Sequence, residues 1–460
     1  MLSKLPPTWG GVTVPGTPAD QVITEGQSAN LPNAPFPLET AFFASAGVTL
    51  RHSTITRDIY HRFFENQMQI NGGKNDMFVA LADAGGIAMG YLDGSKMAVY
   101  DLAHKYLLAD NFFQGAFGGS FLNHQYLICA CAPEYPNADT ATAKPTIAAL
   151  DKDSDANWAH NLTPAAGMPA SALTGPPKWK LSGNIAPKNY FGDGTFRAVN
   201  TMQPPYQPSG NKPSSSDTTG LYADPNASNT LPVQTQTTIA DLLDAKGIGW
   251  AWYAGGWTQA SADRTQVYND SVIYGTPTLN FQAHHQPFNY YKSADPVSSA
   301  AYRAVHLKDY SDLISDAKAG RLPPVTFYKP VGPLTQHPGY SSIAAGDQHI
   351  AEVISLLQQS PQWSGMVIVV TYDENGGAWD HVAPPKGDLI GPGTRIPTII
   401  VSPLAKAGTV DHTQYDTASI LRLLTRRFAL PVLPGLAARD AALKANGAPP
   451  MGDLTNSLHL

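Results

Sequence analysis

One strand end in the sequence carries residues that could bind a metal. The Asp373-Glu374 pair directly follows the apolar run 366–372, and Gly376-Gly377 comes two residues later. Two adjacent carboxylates that leave a buried strand need compensation, and a hard divalent cation with oxygen ligands supplies it. The glycine pair allows a tight turn beside the ion.

An isolated acidic pair is also compatible with a plain strand end whose carboxylates are solvated. The continuation of the chain favours the metal site, because Asp380 and His381 add another acid and an imidazole just downstream. We therefore predict a cluster of candidate ligands at the carboxyl end of this strand, where functional groups gather in open α/β sheets.

Ser120 is the candidate nucleophile. It follows Gly118-Gly119 and precedes the apolar run 121–128, which predicts a helix that starts at the serine. Free backbone N–H groups and the positive end of the helix favour both an alkoxide and a phosphate there. An ordinary N-cap is the alternative for Gly-Gly-Ser read alone.

Three histidines in predicted loops are further candidates. His284 and His285 form a doublet, and His337 precedes Pro338-Gly339. A single histidine usually has a structural role. Around a phosphoryl group, however, imidazoles would donate to the non-bridging oxygens or protonate the leaving group.

The elements that must position these residues predict an α/β fold. Continuous β-branched runs mark strands that are buried on both faces, so the central sheet should be mainly parallel and covered by helices on both faces. We expect a single domain over 1–460 with a long loop-rich insertion or cap at 133–238. The predicted strands are 248–253, 325–328, 366–372 and 397–402, and the predicted helices are 97–108, 121–128, 238–247, 309–319, 347–359 and 415–428.

Composition limits the possible partners. The chain has 460 residues and a formal charge of -6, so no basic excess is available for a nucleic acid. No stretch is long and apolar enough to span a bilayer, and the first residues lack the core of a signal peptide. Cys129 and Cys131 are predicted to be unbridged buried side chains, because one intervening residue is a poor geometry for a disulfide.

Together these motifs resemble the phosphoesterase family of bacterial phospholipases C and acid phosphatases, within the alkaline phosphatase superfamily. The segment 370–377 with 379–382 behind it is the most specific match. Segment 117–124 looks like the family's nucleophile turn, and segment 410–420 with Arg426-Arg427 looks like its C-terminal signature.

The resemblance implies an alkaline-phosphatase-like fold and a phosphoserine mechanism. Ser120 would attack phosphorus, and Asp373 and Glu374, together with Ser120, would hold a divalent metal ion. The residues implied to surround the phosphoryl group are His284, His285, His337 and, by similarity to a further phosphate-contacting residue, His61. Oxygen-rich ligands suit calcium, magnesium or manganese, so the metal's identity stays open.

The sequence departs from the family in one respect. The family opens with a strand that ends in a Glu-Asn pair and completes the metal shell, and no such strand is found here. Glu65-Asn66 is the only such pair before Ser120, but it lies in a predicted helix. We hypothesise that an upstream segment bears this strand and an export signal, which predicts a periplasmic or secreted full-length protein.

Three functions remain open at this stage. Acid phosphatase activity is favoured, because the compact histidine set suits a terminal phosphoryl group. A phospholipase C would act on phosphatidylcholine-type head groups, and Trp250, Trp252, Tyr253 and Trp257 could build an aromatic cage, although core packing is the simpler role for them. A non-catalytic phosphate or solute binder is the third. The oligomeric state is not predicted.

Overall fold

The structure is a computed structural model of the 460-residue chain. It describes residues 13–150, 179–263, 273–274 and 279–459, apart from positions 15, 25–26, 28–30, 32–33, 40–43 and 83. Residues 151–178, within the predicted insertion at 133–238, lie outside the described residues.

Helices and strands alternate along the chain. The strands are β1 (Phe36–Pro37), β2 (Gly90–Tyr91), β3 (Leu107–Ala109), β4 (Phe112–Phe113), β5 (Ile185–Ala186), β6 (Arg197–Ala198), β7 (Trp250–Ala254), β8 (Leu307–Lys308), β9 (Val325–Lys329), β10 (Ile368–Thr371), β11 (Thr398–Val401), β12 (Thr409–Asp411) and β13 (Tyr415–Asp416).

The α-helices are α1 (Phe63–Ile70), α2 (Ala98–Lys105), α3 (Ser120–Cys129), α4 (Lys188–Phe191), α5 (Ile239–Ala245), α6 (Trp257–Ala262), α7 (Ala300–His306), α8 (Tyr310–Lys318), α9 (Ile343–Gln358), α10 (Ala418–Phe428) and α11 (Pro434–Ala445).

A three-stranded parallel sheet lies at the centre of the largest core. Its order is β8-β7-β9, and Trp252 of β7 lies opposite Phe327 of β9. Every residue of β7 is buried, as expected for an apolar strand covered on both faces. Trp252 stacks on Phe327 with ring centroids 5.2 Å apart. The aromatic residues of β7 are therefore core residues, and no cage is needed to explain them.

A four-stranded sheet carries the predicted acidic strand. Its order is β10-β11-β3-β12, and β11 runs antiparallel to both of its neighbours. The α/β prediction with mainly parallel pairing is confirmed, since most strand pairs in the described ranges are parallel. The antiparallel β11 and the division of the strands into separate sheets were not predicted.

Helix α9 packs against both sheets with two adjoining apolar sides. Val353 and Leu357 pack in a cluster with Tyr253 of the three-stranded sheet, and Ile354 packs with Ile399 of the four-stranded sheet. Residues four apart lie on the same side of a helix, and Ile354 follows Val353 on the adjoining side. One helix thus fixes both sheets relative to each other.

The loop-rich insertion contributes to the main core. Leu181, Ile185 and Met202 are fully buried in the same apolar cluster as Phe121 of α3 and Trp252 of β7. The described part of this segment therefore belongs to the same apolar core as the helix that begins at Ser120.

Three local predictions were wrong. The helix expected over 415–428 begins at Ala418, because the preceding Tyr415–Asp416 pairs with β4 as strand β13. The helix expected over 97–108 ends at Lys105, and Leu107 begins β3, because its backbone pairs with β11. Cys129 and Cys131 form a disulfide. Helix α3 ends at Cys129, and Ala130 adopts a left-handed conformation with φ 50°, which turns the chain and brings the two Cα atoms to 5.1 Å.

The pair Glu65-Asn66 lies in α1, as predicted, and both side chains are fully buried. None of the helices in the described ranges has the length and apolar character that a membrane crossing requires.

Candidate active site

Ser120 is the first residue of α3, as predicted, and a tight glycine turn delivers it there. Gly118 has φ +82°, and a Cβ on it would lie 2.5 Å from the backbone nitrogen of Phe63. A Cβ on Gly119 would lie 3.0 Å from the carbonyl oxygen of His61. The two glycines are therefore required because the chain passes directly against the start of α1.

Buried amide side chains hold this turn in place. Asn66 Oδ1 accepts from the Gly118 N–H at 3.3 Å, and Gln114 Nε2 donates to the Gly118 carbonyl at 3.1 Å. Asn123 accepts from the Ala116 N–H at 2.9 Å and donates to the Ala116 carbonyl at 3.1 Å. Each partner is satisfied, so the turn is rigid before any ligand binds.

The acidic pair follows β10 and faces the serine. Ser120 Oγ donates to Glu374 Oε1 at 3.0 Å, and the Gly376 N–H donates to Glu374 Oε2 at 2.5 Å. Gly377 has φ +79°, and a Cβ there would come within 2.6 Å of Ile59. The glycine pair thus permits the turn that aims Glu374 at the nucleophile.

Asp373 lies between two basic side chains. Lys329 Nζ, at the end of β9, is 3.2 Å from Asp373 Oδ1, and His124 Nδ1 is 3.5 Å from Oδ2. Burial acts to raise the pKa of Asp373, but Lys329 and then His124 outweigh it and hold that pKa well below its ordinary value. Burial and Lys329 lower the pKa of His124 to about 4.

The acidic pair fits a hard divalent cation. Asp373 Oδ2 is buried and makes no hydrogen bond within the described part of the chain, so it has free coordinating capacity. Burial, with a smaller contribution from the neighbouring Asp373, raises the pKa of Glu374 against the opposing effect of His61, so a cation beside this carboxylate would offset the cost of its burial. Ser120, Asp373 and Glu374 are the residues that could share such an ion.

Three buried imidazoles pack together behind the serine. The His124 ring stacks on that of His285 at 5.0 Å, and His284 meets His285 edge to face at 4.7 Å. His124 Nδ1 donates to the Ser120 carbonyl at 2.8 Å. Burial, followed by neighbouring positive groups, lowers the pKa of His284 and of His285 well below the ordinary value.

A second group lies on the opposite side of the serine. His61 Nε2 is 3.5 Å from Glu374 Oε1, and the rings of His61 and His337 are 5.3 Å apart. Burial acts to lower the pKa of His61, but Glu374 and Asp58 raise it to about 9. Asp58, His61 and His337 form a cluster that could hold a metal ion.

These groups surround a cavity of about 510 Å³. Four of the predicted residues line it, while His285 lies behind His284, and Asp373 and Glu374 lie behind Ser120. The described lining is Asp58, Ile59, Tyr60, His61, Arg62, Gly119, Ser120, Phe121, Asn200, Thr201, Tyr274, Asn280, Gln282, His284, His337 and Tyr340.

Sequence reasoning misplaced two candidate ligands and missed three residues. Asp380 pairs with Arg395 at 3.2 Å, and His381 is exposed, so neither joins the acidic pair. Asp58, His124 and Lys329 were not predicted, although each contacts a predicted residue. His124 could have been found, because it stands four residues after Ser120 and so lies on the same face of the helix.

A serine at a helix amino terminus, hydrogen-bonded to a carboxylate at a strand end and beside a histidine-lined cavity, is compatible with the chemistry of an ester hydrolase. The chain belongs to the phosphoesterase family, whose sequence model matches residues 11–431. The family is hydrolytic and includes phospholipases C.

The chain is similar to two bacterial phospholipases C. The non-hemolytic phospholipase C of Pseudomonas aeruginosa is 28% identical over 228 residues, which cover 43% of this chain and 30% of that protein. Phospholipase C B of Mycobacterium tuberculosis is 30% identical over 194 residues, covering 36% of this chain and 35% of that protein. The matched segments thus span about a third of each relative.

Among solved structures, the PsFucS1 sulfatase from Pseudoalteromonas sp. aligns with 82% of this chain and 72% of its own, at 14% identity and a TM-score of 0.27. This score is too low to support an inference.

Proposed function

We propose that the chain hydrolyses phosphate monoesters through a phosphoserine at Ser120. The observation that carries the proposal is the position of Ser120 Oγ, 3.0 Å from Glu374 Oε1 at the amino terminus of α3. The hydroxyl is thus beside a proton acceptor and beside backbone N–H groups that stabilise phosphoryl oxygens.

The chain's own residues account for each step. Ser120 Oγ forms the bond to phosphorus as its proton passes to Glu374 Oε1, and the bond from phosphorus to the ester oxygen breaks. The departing oxygen takes up a proton from water, and Glu374 releases the proton that it accepted to water. Water then attacks the phosphoserine, which releases inorganic phosphate and restores the hydroxyl. His284 and His337 line the cavity and would donate to the non-bridging oxygens, whereas His61 lies beside Glu374 and would hold that carboxylate in place.

A divalent cation completes the proposed site. Asp373, Glu374 and Ser120 would hold it, and when bound it would offset the negative charge that gathers on the serine and phosphoryl oxygens. Their oxygen donors suit calcium, magnesium or manganese.

The polar character of the cavity supports a small phosphate ester as substrate. Asn280, Gln282 and the tyrosines Tyr60, Tyr274 and Tyr340 are among its lining residues, and their side chains could hydrogen-bond to a polar alcohol. The formal charge of -6 supports a small substrate over a nucleic acid.

The second candidate function is a phospholipase C acting on phosphatidylcholine-type head groups. It is favoured by the names of the similar proteins from P. aeruginosa and M. tuberculosis. A lipid ester would extend out of the cavity and leave only its head group beside Ser120.

A two-substrate assay separates these functions. We expect p-nitrophenyl phosphate to be hydrolysed faster than phosphatidylcholine, and Ser120→Ala to reduce the rate by at least about 1,000-fold. Ser95→Ala, at an exposed serine, is the control and should keep full activity. Faster cleavage of phosphatidylcholine would favour the phospholipase, and no hydrolysis of either ester would favour a phosphate or solute binder.

We also propose that the protein works in the periplasm or outside the cell. The Cys129–Cys131 disulfide supports this location, because such bonds persist in oxidising compartments. Protein isolated from the secreted or periplasmic fraction should show no free thiol on alkylation after unfolding. Recovery of a reduced cytoplasmic form alone would contradict the location.

A further inference from the structure

A carboxylate and two imidazoles meet at the rim of the cavity. One donor atom each from Asp58, His61 and His337 lies within 4.8 Å of the others. Asp58 Oδ1 is 3.7 Å from His61 Nδ1 and 3.9 Å from His337 Nδ1. Ligands about 2.0–2.2 Å from a tetrahedral ion are about 3.4 Å apart, so the two distances from Asp58 would need to contract by only a few tenths of an ångström.

The two rings are already oriented by their other contacts. His61 Nε2 faces Glu374 Oε1 at 3.5 Å, which leaves Nδ1 on the side of Asp58. A histidine that binds a metal usually presents its other ring nitrogen to a carboxylate or carbonyl in this way. His337 stacks on Tyr340 with ring centroids 4.5 Å apart, which fixes the plane of the second ring.

In the structure, main-chain carbonyl oxygens accept hydrogen bonds from the Nδ1 atoms of His61 and His337. His61 Nδ1 donates to the Ile59 carbonyl, and His337 Nδ1 donates to the Pro338 carbonyl at 2.6 Å. A cation would replace both protons, and the two carbonyl oxygens lie beside the nitrogens that it would bind. The surroundings therefore offer oxygen donors as well as nitrogen donors.

We propose that Asp58, His61 and His337 form a binding site for a second divalent cation, of the zinc or cobalt type. Two imidazoles and one carboxylate suit these borderline ions, whereas the oxygen donors of Asp373 and Glu374 suit harder ones. The three residues line the cavity, so a fourth coordination position would open towards a phosphoryl oxygen. Only this last role rests on the proposed function; binding of the ion does not.

Cobalt titration tests the site without reference to activity. The full chain is freed of metal with a chelator, and Co²⁺ is added while the visible d–d absorption is recorded. Asp58→Asn and His337→Gln should each weaken binding by more than the roughly 10–100-fold that loss of an outer-shell partner costs. Asp110→Asn is the matched control, because Asp110 pairs with the exposed His412 at 2.8 Å and offers a single imidazole. It should bind Co²⁺ as wild type does.

Further variants separate the two cation sites. Asp373→Asn should keep the cobalt band, since the ion is held elsewhere. The proposal is overturned if Asp58→Asn and His337→Gln bind Co²⁺ as wild type does, or if Asp373→Asn abolishes the band. The side chain of Asp58 is 54% exposed, so its substitution leaves the fold intact and is decisive. Full hydrolysis by Ser120→Ala would refute the proposed function and leave the cobalt result unaffected.

Discussion

Lys329 is the cation that pairs with Asp373 of the acidic pair. Its Nζ is 3.2 Å from Asp373 Oδ1, and the side chain is only 16% exposed. Lys329→Met should destabilise the chelator-treated protein by about 2 kcal/mol, because the buried carboxylate loses a charged hydrogen-bond donor. Added Mn²⁺ should then stabilise the variant more than it stabilises wild type. Urea unfolding with and without Mn²⁺ measures both effects.

Lys308→Met is the matched control for this substitution. Lys308 also ends a strand and pairs with a carboxylate, Asp316, at 2.8 Å, but that carboxylate bonds to Tyr253 rather than to the site. Its loss should lower stability without changing the response to Mn²⁺. An unchanged response in Lys329→Met would show that the lysine does not neutralise Asp373.

Among single residues, those that could be predicted from the sequence are the ones with a recognisable pattern beside them in the chain. Gly118-Gly119 marks Ser120, and the apolar run of β10 marks the acidic pair, so these groups could be found before the structure. No such pattern beside Lys329 or Asp58 indicates a functional role. Their importance comes from contacts with residues distant in the chain, Asp373 and His337, and these contacts depend on how the strands and loops assemble.

The glycine turn before α3 is the element on which the nucleophile depends. Gly118→Ala would impose a left-handed residue, at about 1–2 kcal/mol, and a clash with the backbone of Phe63, at roughly a further 1–3 kcal/mol. Because the clash displaces the turn, hydrolysis by Ser120 should fall sharply. Thermal unfolding and the p-nitrophenyl phosphate assay check the two effects.

Gly192→Ala is the control that measures the free-energy cost of a left-handed alanine without the steric clash. Gly192 has φ +74°, close to that of Gly118, but a Cβ there would meet no atom within 4 Å. The variant should therefore lose only about 1–2 kcal/mol and keep its activity. Equal losses in the two variants would mean that the contact between the turn and α1 does not constrain the site.

Element types were more predictable than their pairing. Apolar periodicity located α9 and β9 closely, because burial on one face or on both determines the pattern. The antiparallel direction of β11 was not predictable, since it depends on which strands become its neighbours. The Cys129–Cys131 bridge was missed because it requires the left-handed residue that ends α3, and no spacing rule encodes that turn.

At the scale of the whole molecule, we propose a single domain over 1–460, with 133–238 as an integral part of it. Leu181 and Ile185 of that segment share an apolar cluster with Leu436 of α11, so the described insertion packs in the same core as the C-terminal helix. A shared core favours cooperative unfolding.

Arg439 of α11 ties this helix to the nucleophile turn. It is fully buried, lies outside the residues that match the family model, and contacts two carboxylates, Asp416 at 2.7 Å and Asp388 at 2.7 Å. Its Nη2 also donates to the Gly115 carbonyl at 2.8 Å, and its guanidinium lies 4.8 Å from the ring centroid of Tyr126. Burial acts to lower the pKa of Arg439, but Asp388, Tyr126 and Asp416 raise it, so the guanidinium stays protonated.

Arg439→Met should destabilise the whole molecule by about 3–5 kcal/mol, because it leaves the buried carboxylate of Asp416 without its counter-charge. Chemical unfolding followed by tryptophan fluorescence and by circular dichroism should give one coincident transition at a lower midpoint. Arg426→Met is the control: Arg426 pairs with Asp453 at the same 2.7 Å, but its side chain is 65% exposed, so the loss should stay within about 1 kcal/mol. Equal effects of the two substitutions, or separate transitions for the two probes, would show that α11 is not coupled to the core through Arg439.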